Sequence, residues 1–519
     1  MPSGIAPGMS EGAPVAPDRA GAWNGTDWLI TATLFIATVL SRLPFRTGLL
    51  YAWDSVLYTR AMDHFDVTIQ QPQPPGHIFY VGFARLVEQF TGDANAAMVW
   101  ISLLASAAAV VALYWLGRAM LGRSVGLVAA LFLATSLSFW GHGEIAYPYT
   151  LLAFLSVFLA GVMYRAWQGG NVCALLSGLC LGLAAGFRQD LLPFLLPLWA
   201  GGLLGKPRRV QAGSVGLLGL AAASWYVPSA LLSGGFSAYQ EASSVQSDYL
   251  MRTSSVFGQG LEALAVNLQA LGRFLLYALS AALPFAILAP LLLVRRRYRE
   301  QLGNRKLLFL LVWTVPSVLF YIFIHIGEFG YVFTFLPAVL LMASWGVVVL
   351  ARDMARALSS RRWPHRRERL RPAVMVALVL PVIVLNMLLF LVLTPHLSAE
   401  RLAANEDIQR SRIETIREYF DADSTLVVSV FNYQQASYYL PEFEHWYIDP
   451  VTAGREVLQV PQGIKWVVLF DESLEPGEGE KAMSFPLARK QRLFYLEPVE
   501  GTYLIVDWPA RRIYNSNSW

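Results

Sequence analysis

Charged residues are scarce in this chain of 519 residues. Asp, Glu, Lys and Arg together make up 15% of the sequence, against about 25% in soluble domains, while 55% of the residues are hydrophobic. The mean hydropathy is +0.45. A soluble core could not bury so much apolar surface, but helices that face lipid can expose it. The composition therefore excludes an ordinary soluble globular protein and indicates a membrane protein with several spanning helices.

Cysteine and the common motifs of soluble enzymes are also scarce. Cys173 and Cys180 are seven residues apart in one apolar run, which on a helix places them about 10 Å apart and excludes a disulfide between them. The sequence has no Walker loop, no dinucleotide fingerprint and no Cys/His cluster with metal-ligand spacing. ATP and NAD chemistry are therefore unsupported, and a net charge of +4 is too small to indicate a nucleic-acid partner.

Long apolar runs are abundant, and a spanning helix needs about 20 mostly apolar residues. We predict about eleven spans, which begin near Trp28, Ala96, Val125, Tyr147, Val172, Leu191, Val215, Leu268, Leu307, Val332 and Ala373. Basic loops alternate with loops that carry Asp and Glu across every span. Because Lys and Arg concentrate in cytoplasmic loops, we expect a multi-pass cell-membrane protein with a cytoplasmic N-terminus.

Composition divides the chain into three predicted parts. Residues 1–25 are rich in Pro, Gly and Ala and are expected to be a disordered cytoplasmic head. Residues 26–395 form the transmembrane domain, with a first outer loop over 46–95. Residues 396–519 are predicted to be an extracytoplasmic α/β domain, because a helical pattern over 406–420 is followed by β-rich runs. Those runs cover 425–431, 465–470, 492–496 and 503–508.

Two acidic residues of the outer loops are candidates for catalysis, because ionisable groups at the mouths of membrane helices mark function by default. Asp54 follows the first span among aromatic residues, where it suits a general base toward a hydroxyl acceptor. The alternative for Asp54 is a helix N-cap. Glu144 precedes a span, where it suits either a site or the dipole of that helix.

Basic side chains are rare in these outer loops, so Arg188 stands out. An arginine fork matches phosphate oxygens, and the alternatives for Arg188 are a pair with Asp190 or contact with lipid headgroups. Arg252 and Glu328 are weaker candidates of the same kind. His77, which follows a proline pair, is a candidate proton shuttle or phosphate contact, with an ordinary loop histidine as the alternative.

Short motifs lie in a fixed order along residues 28–350. They are Asp54, Tyr58 and Ala61 followed by Pro74 and Pro75; Glu144 within 143–147; the run 186–190 followed by Pro193 and Pro197; and Gly330 and Tyr331 followed by Leu336 and Pro337. In order and spacing they resemble the GT-C superfamily of membrane glycosyltransferases, in the branch of the protein O-mannosyltransferases and the lipid A aminoarabinose transferase. Two positions depart from that pattern: Ser55 stands where many relatives have Glu, and Gly330 where they often have Arg.

The resemblance implies an α-helical polytopic membrane fold with a small C-terminal α/β domain. It also implies that a sugar is transferred with inversion from a polyprenyl phosphate to a glycan, lipid or protein acceptor on the outer face. Asp54 would deprotonate the acceptor, Glu144 would orient acceptor or base, and Arg188 would hold the donor phosphate. The other expected substrate contacts are Asp190, Tyr58, His77, Arg252 and Tyr331. Some members use a divalent metal, but this sequence names no ligand set, so no cofactor is assigned.

Two other functions stay open from the residues alone. A transporter or flippase would hold its substrate near the bilayer midplane and often shows inverted repeats, and Arg273 and His325 would favour it if they lie deep. A scaffold that presents the C-terminal domain is the third alternative. It leaves unexplained why Asp54, Glu144 and Arg188 all fall in short turns on one side of the membrane.

Overall fold

The computed structural model describes residues 24–359, 364–393, 395–450, 454–478, 480–498 and 503–515. Apart from its last two residues, the predicted head over 1–25 lies outside the described residues. The described chain is a bundle of membrane helices followed by a smaller C-terminal part that contains the β-strands.

The helices follow one another with short connections. In chain order they are α1 (Gly25–Arg42), α2 (Trp53–Asp63), α3 (Ile78–Thr91), α4 (Ala94–Leu121), α5 (Arg123–Thr135), α6 (Leu137–His142), α7 (Tyr149–Trp167), α8 (Asn171–Phe187), α9 (Leu191–Leu203), α10 (Arg208–Leu232), α11 (Phe236–Thr253), α12 (Val256–Leu279), α13 (Leu283–Leu293), α14 (Arg296–Leu302), α15 (Asn304–Phe323), α16 (Leu336–Leu358), α17 (Pro364–Leu391), α18 (Ala399–Tyr419) and α19 (Tyr433–Tyr439). Short 3-10 helices cover Leu43–Phe45, Val67–Ile69, Ser280–Ala282, Phe329–Thr334, Ala422–Ser424 and Ala488–Lys490.

The number of spans agrees with the prediction. Among the described residues, eight helical stretches are long and apolar enough to cross a membrane: α1, α4, α7, α10, α12 with α13, α15, α16 and α17. Three shorter apolar helices, α5, α8 and α9, occupy the three remaining predicted positions. The polytopic helical fold is therefore confirmed.

Small residues let neighbouring membrane helices approach closely. A Cβ atom on Gly178 of α8 would lie 2.0 Å from the carbonyl oxygen of Ser214 on α10, and one on Gly182 would lie 2.5 Å from the Cβ of Ala221. The side chain of Ser214 also donates to the carbonyl of Ala174 across the same contact, at 2.8 Å. Close packing and a hydrogen bond from a side chain to a backbone carbonyl hold α8 to α10, since lipid supplies little hydrophobic driving force between helices.

The first outer loop is largely helical. It contains α2 and α3, and Asp54 lies in the first turn of α2. The alternative of Asp54 as an N-cap does not describe this turn, because Ala52 is the N-cap residue and the hydroxyl of Ser55 accepts from its backbone N–H at 3.3 Å. The same hydroxyl donates to the carbonyl of Ala146 at 2.6 Å, which ties α2 to the turn before α7. The carboxylate of Asp54 is thus left available to the interior of the site.

The C-terminal part contains two sheets, which confirms the small α/β domain. Its strands are β1 (Thr425–Ser429), β2 (Glu444–Tyr447), β3 (Arg455–Gln459), β4 (Trp466–Leu469), β5 (Glu475–Pro476), β6 (Ala482–Pro486), β7 (Arg492–Leu496), β8 (Tyr503–Asp507) and β9 (Arg512–Asn515). One sheet has the order β2-β1-β4-β7-β6, with β2, β1 and β4 parallel, and the other has the order β3-β8-β9-β5. Ile413 and Ile416 of α18 pack with Val427 and Val468 of the larger sheet.

Candidate active site

A cavity of about 280 Å³ lies where α2, the turn over 72–77, the turn between α8 and α9, and the segment before α16 meet. Six of the eight residues predicted for the site line it: Asp54, Tyr58, His77, Arg188, Asp190 and Tyr331. These residues come from four separate segments of the sequence, which the fold brings together at the ends of membrane helices. The cavity is therefore the candidate active site.

Asp54 is half-buried and faces this cavity. Its Oδ2 accepts a hydrogen bond from the hydroxyl of Tyr147 at 3.2 Å. Burial raises the pKa of Asp54, while the Tyr147 hydroxyl and the positive charge of Arg188 act in the opposite direction. A carboxylate with one hydrogen bond and one cation across a cavity can accept a proton from a bound hydroxyl.

Arg188 is the cation of the cavity, and it is only 7% exposed. One terminal nitrogen contacts Asp190 Oδ2 at 3.1 Å, so the pairing considered from the sequence is present. The guanidinium also stacks on the rings of Tyr149 and Tyr331, at 5.0 and 5.8 Å from their centroids. Within the described part of the chain, its buried Nε has no hydrogen-bond partner. Arg188 is thus fixed in place and retains a donor for an anionic group.

His77 and Gln189 add further polar atoms to the cavity wall. Burial and the neighbouring charge of Arg188 lower the pKa of His77 well below its ordinary value, so the imidazole is neutral at pH 7. Its Nδ1 has no hydrogen-bond partner among the described residues, and neither does the Oε1 of Gln189. The His77 ring lies 5.8 Å from that of Tyr58. A neutral imidazole beside a fixed arginine suits a contact to a phosphate or a sugar hydroxyl.

The close packing at Gly330 leaves no room for an arginine before Tyr331. A Cβ atom at position 330 would lie 2.0 Å from Cγ of Tyr149, so the ring of Tyr149 packs directly on the glycine backbone. Arg188 stacks on that same Tyr149 ring. The space that a side chain at position 330 would need is therefore filled by an aromatic residue that supports Arg188.

Comparison with known proteins gives matches to membrane glycosyltransferases. Residues 73–230 match the family model described as dolichyl-phosphate-mannose-protein mannosyltransferase. ArnT from Cupriavidus metallidurans in the apo state has a similar structure, with a TM-score of 0.55 at 12% sequence identity over 91% of this chain and 97% of that one. The chain has the GT-C fold. The resemblance predicted from the sequence is thereby confirmed.

Two further structures share this GT-C fold. ArnT from Cupriavidus metallidurans bound to undecaprenyl phosphate gives a TM-score of 0.54 at 12% identity over 91% of this chain and 98% of that one. The Archaeoglobus fulgidus oligosaccharyltransferase in the apo form gives 0.52 at 13% identity over 85% of this chain and 69% of that one. No curated protein sequence matches this chain significantly.

Glu144 does not line the cavity of this GT-C protein. It is fully buried in the turn between α6 and α7, and its charge faces that of Arg42, which is also fully buried. Neither carboxylate oxygen has a hydrogen-bond partner among the described residues. Burial raises the pKa of Glu144, and the charge of Arg42 opposes that shift. The orienting role of Glu144 stays a prediction.

Arg252 also lies away from the cavity lining. It is exposed on α11, where its guanidinium is 3.7 Å from the carboxylate of Asp248. Its predicted contact with substrate stays a prediction. Glu328 lies at the N-cap of the 3-10 helix before α16, where burial and the charge of Asp54 raise its pKa to about 7.

Sequence reasoning did not select several aromatic and polar residues of the wall. Tyr149, Gln189, Tyr321 and His325 line the cavity, and Tyr147 reaches Asp54. The sequence feature that could have indicated Tyr147 and Tyr149 is their position on either side of Pro148, at the start of a span. His325, which would favour a transporter if deep, follows the end of α15 and lies outside the spanning stretch.

A divalent metal would need several carboxylate, imidazole or thiolate ligands close together. Among the described residues there is no group of three or more His, Cys, Asp or Glu side chains that could hold a metal ion. Asp54 faces a tyrosine hydroxyl and an arginine instead of a set of anionic ligands. The described side chains therefore do not form a metal site by themselves.

Proposed function

We propose that this protein transfers a sugar from a polyprenyl-phosphate donor to an acceptor on the outer face of the membrane. The observation that carries the proposal is the placement of Asp54 and Arg188 in one cavity at the ends of spanning helices. The match to a mannosyltransferase family model supports the reaction class and makes mannose the first sugar to test. The fold shared with an undecaprenyl-phosphate-bound ArnT supports the lipid carrier.

The cavity has a polar end and an apolar side, as an amphiphilic donor requires. Arg188 and His77 form the polar end, while Leu250 and Phe320 contribute apolar surface. Phe320 belongs to the spanning helix α15 and is 37% exposed. The donor phosphate would bind at Arg188, and the polyprenyl chain would leave the cavity past Phe320 into the bilayer.

The reaction requires a base and a stabilised leaving group. Asp54 would take the proton of the acceptor nucleophile as its oxygen or nitrogen forms a bond to the anomeric carbon. The bond between that carbon and the phosphate oxygen breaks, and the electron pair leaves with the polyprenyl phosphate. Arg188 would stabilise the charge on the departing phosphate. Attack opposite to the leaving group inverts the configuration at the anomeric carbon.

We also propose how the protein is oriented in the membrane and which domain carries the chemistry. Basic loops on one side support a cytoplasmic N-terminus, which would put the cavity and the C-terminal domain on the outer side. The transmembrane part over 26–395 would carry the chemistry, with the domain over 396–519 at its outer surface. The acceptor would be a glycan, a lipid or a protein that reaches this surface.

The test uses membranes that contain the wild-type chain or Asp54→Asn, with a panel of radiolabelled polyprenyl-phosphate sugars and separate glycan, lipid and protein acceptors. We expect transfer by the wild type from one donor class, and a loss of about 100-fold or more in the variant, because a general base contributes that much. Asp63→Asn, an exposed carboxylate at the end of the same helix, is the matched control and should retain transfer. Equal transfer by wild type and Asp54→Asn would contradict the role of the base. Absence of transfer with every donor and acceptor would favour a transporter.

A further inference from the structure

The segment over 47–60, which carries Asp54, is held by the membrane helices on one side. The hydroxyl of Ser55 donates to the carbonyl of Ala146 at 2.6 Å, and the hydroxyl of Tyr147 donates to Asp54 at 3.2 Å. Both partners belong to the turn before α7. These two bonds fix one face of α2, and the N–H of Thr47 donates to the carbonyl of Glu144 at 3.0 Å at the start of the segment. These three bonds do not involve the backbone of Leu50 and Tyr51, which leads into α2.

That backbone is held by the C-terminal domain instead. The N–H of Leu50 donates to the hydroxyl of Tyr439 at 2.8 Å, and the side-chain amide of Gln435 donates to the carbonyl of Tyr51 at 3.3 Å. Tyr439 and Gln435 lie on α19, which is separated by nearly 400 residues from its partners. Two consecutive backbone positions just before Asp54 are therefore bonded to one short helix of the distant domain.

A second contact holds the other end of α2. Arg60 donates from one terminal nitrogen to Oε1 of Gln434 at 3.0 Å and from the other to the hydroxyl of Ser437 at 2.9 Å. Both acceptors are again on α19. A two-pronged arginine contact fixes direction as well as distance. Helix α2 is thus attached to α19 both before its first residue and in its last turn.

Aromatic packing joins the same two elements beside the candidate base. The ring of Trp53, the residue before Asp54, lies 6.2 Å from that of Tyr433 and 5.5 Å from that of Tyr447, with tilted planes. Tyr447 belongs to β2, next to β1 in the sheet. Aromatic pairs at these separations contribute beyond their buried area. The C-terminal domain therefore contacts Trp53 through two rings, one from α19 and one from the sheet.

We propose that the C-terminal domain is a positioning element of the active site, which holds Asp54 at the distance from Arg188 that transfer requires. The positioning residues are Tyr439 and Gln435 of that domain, together with Arg60 of α2. The inference rests on the proposed function. A displacement of about 1 Å at a catalytic group can cost 100-fold in rate, so contacts that touch no substrate can control the reaction.

The first test compares Tyr439→Phe with Tyr438→Phe. The former removes the hydroxyl bonded to Leu50, whereas the latter removes a hydroxyl of the same helix for which the structure gives no bond to the 47–60 segment. We expect Tyr439→Phe to lower the kcat of transfer about tenfold, with the donor KM within twofold of wild type. The acidic limb of its pH–rate profile should also shift, since the surroundings of Asp54 change. Tyr438→Phe should match the wild type.

Arg60→Gln is the second variant, and amide hydrogen exchange is the readout that does not need activity. We expect faster exchange at Leu50 in Tyr439→Phe, and across α2 in Arg60→Gln, at unchanged melting temperature. Unchanged exchange at Leu50 together with a wild-type pH–rate profile would overturn the inference. If the variants exchange faster but the wild-type protein transfers no sugar, the contact between α19 and the 47–60 segment is supported and the proposed function is refuted.

Discussion

Two acidic side chains of this protein face arginines in different surroundings. Asp54 faces Arg188 across a cavity, with one hydrogen bond from a tyrosine hydroxyl. Glu144 faces Arg42 in a sealed turn, and both of those side chains are fully buried. Arg42 is itself held by the carbonyls of Thr38 and Ala134 and stacks on aromatic rings of α6.

The difference shows that a negative charge in an outer turn is not enough to make an acidic residue catalytic. What distinguishes Asp54 is empty volume between it and its arginine, into which reacting atoms fit. Glu144 does not line that cavity, but its backbone carbonyl accepts from the N–H of Thr47 at 3.0 Å, at the start of the segment that carries Asp54. We therefore propose that Glu144 and Arg42 act mainly on stability.

The largest effect is expected when the cavity loses its arginine. Arg188→Gln should lower kcat for sugar transfer about 100- to 1000-fold, because one charged donor to the leaving phosphate is removed. Transfer from the best donor of the panel measures this. Arg252→Gln, which changes the exposed arginine of α11, should stay within about twofold of wild type. A similar loss in both variants would mean that Arg252 contacts the donor as closely as Arg188 does, against the placement of the phosphate at Arg188.

An intermediate effect is expected from filling the space at Gly330. Gly330→Ala would push its Cβ into the ring of Tyr149, which supports Arg188, and overpacking of this kind costs about 1–3 kcal/mol. We expect a lower melting temperature and weaker transfer. Gly161→Ala in α7 is the control, since no atom lies within 4 Å of the added Cβ. An unchanged melting temperature in Gly330→Ala would show that the Tyr149 ring moves freely, against the account of Arg188.

The smallest effect concerns pH. Burial and Asp54 raise the pKa of Glu328 to about 7 from an ordinary value of 4.5, so the folded protein binds this proton more tightly than the unfolded chain. The contribution of this proton to the free energy of unfolding is fully present below pH 4.5 and is lost as the pH rises through about 7. Glu328→Gln should therefore flatten the decline of melting temperature between about pH 5 and pH 8. The control is Glu241→Gln, which changes an exposed glutamate and should keep the wild-type dependence of melting temperature on pH. The same dependence in all three proteins would refute the link between the protonation of Glu328 and stability.

Much of the fold was predictable because lipid demands long apolar runs. The eleven predicted spans correspond to the eight long and three short apolar helices. Four of the nine strands were predicted, namely β1, β4, β7 and β8, which are rich in β-branched and aromatic residues. The others were not, because short stretches such as the four residues of Glu444–Tyr447 owe their pairing to neighbouring strands rather than to their own pattern.

The candidate site was predictable as a set of residues but not as a geometry. Asp54, His77 and Arg188 were selected because polar groups at helix mouths are costly. Whether a side chain points into the cavity depends on tertiary packing, which no local pattern contains. Glu144 is turned toward Arg42 by the six-residue helix α6, and contacts such as Leu50 with Tyr439 join positions nearly 400 residues apart.

The most direct test of the central claim compares Asp54→Asn with Glu144→Gln in one preparation, by transfer rate and by melting temperature. Asp54→Asn should lose transfer about 100-fold or more and keep its melting temperature. Glu144→Gln should lose stability, by about 3 kcal/mol if the buried Arg42 is left uncompensated, and keep most of its transfer at a temperature where it is folded. Loss of transfer in Glu144→Gln equal to that in Asp54→Asn, with an unchanged melting temperature, would contradict the account.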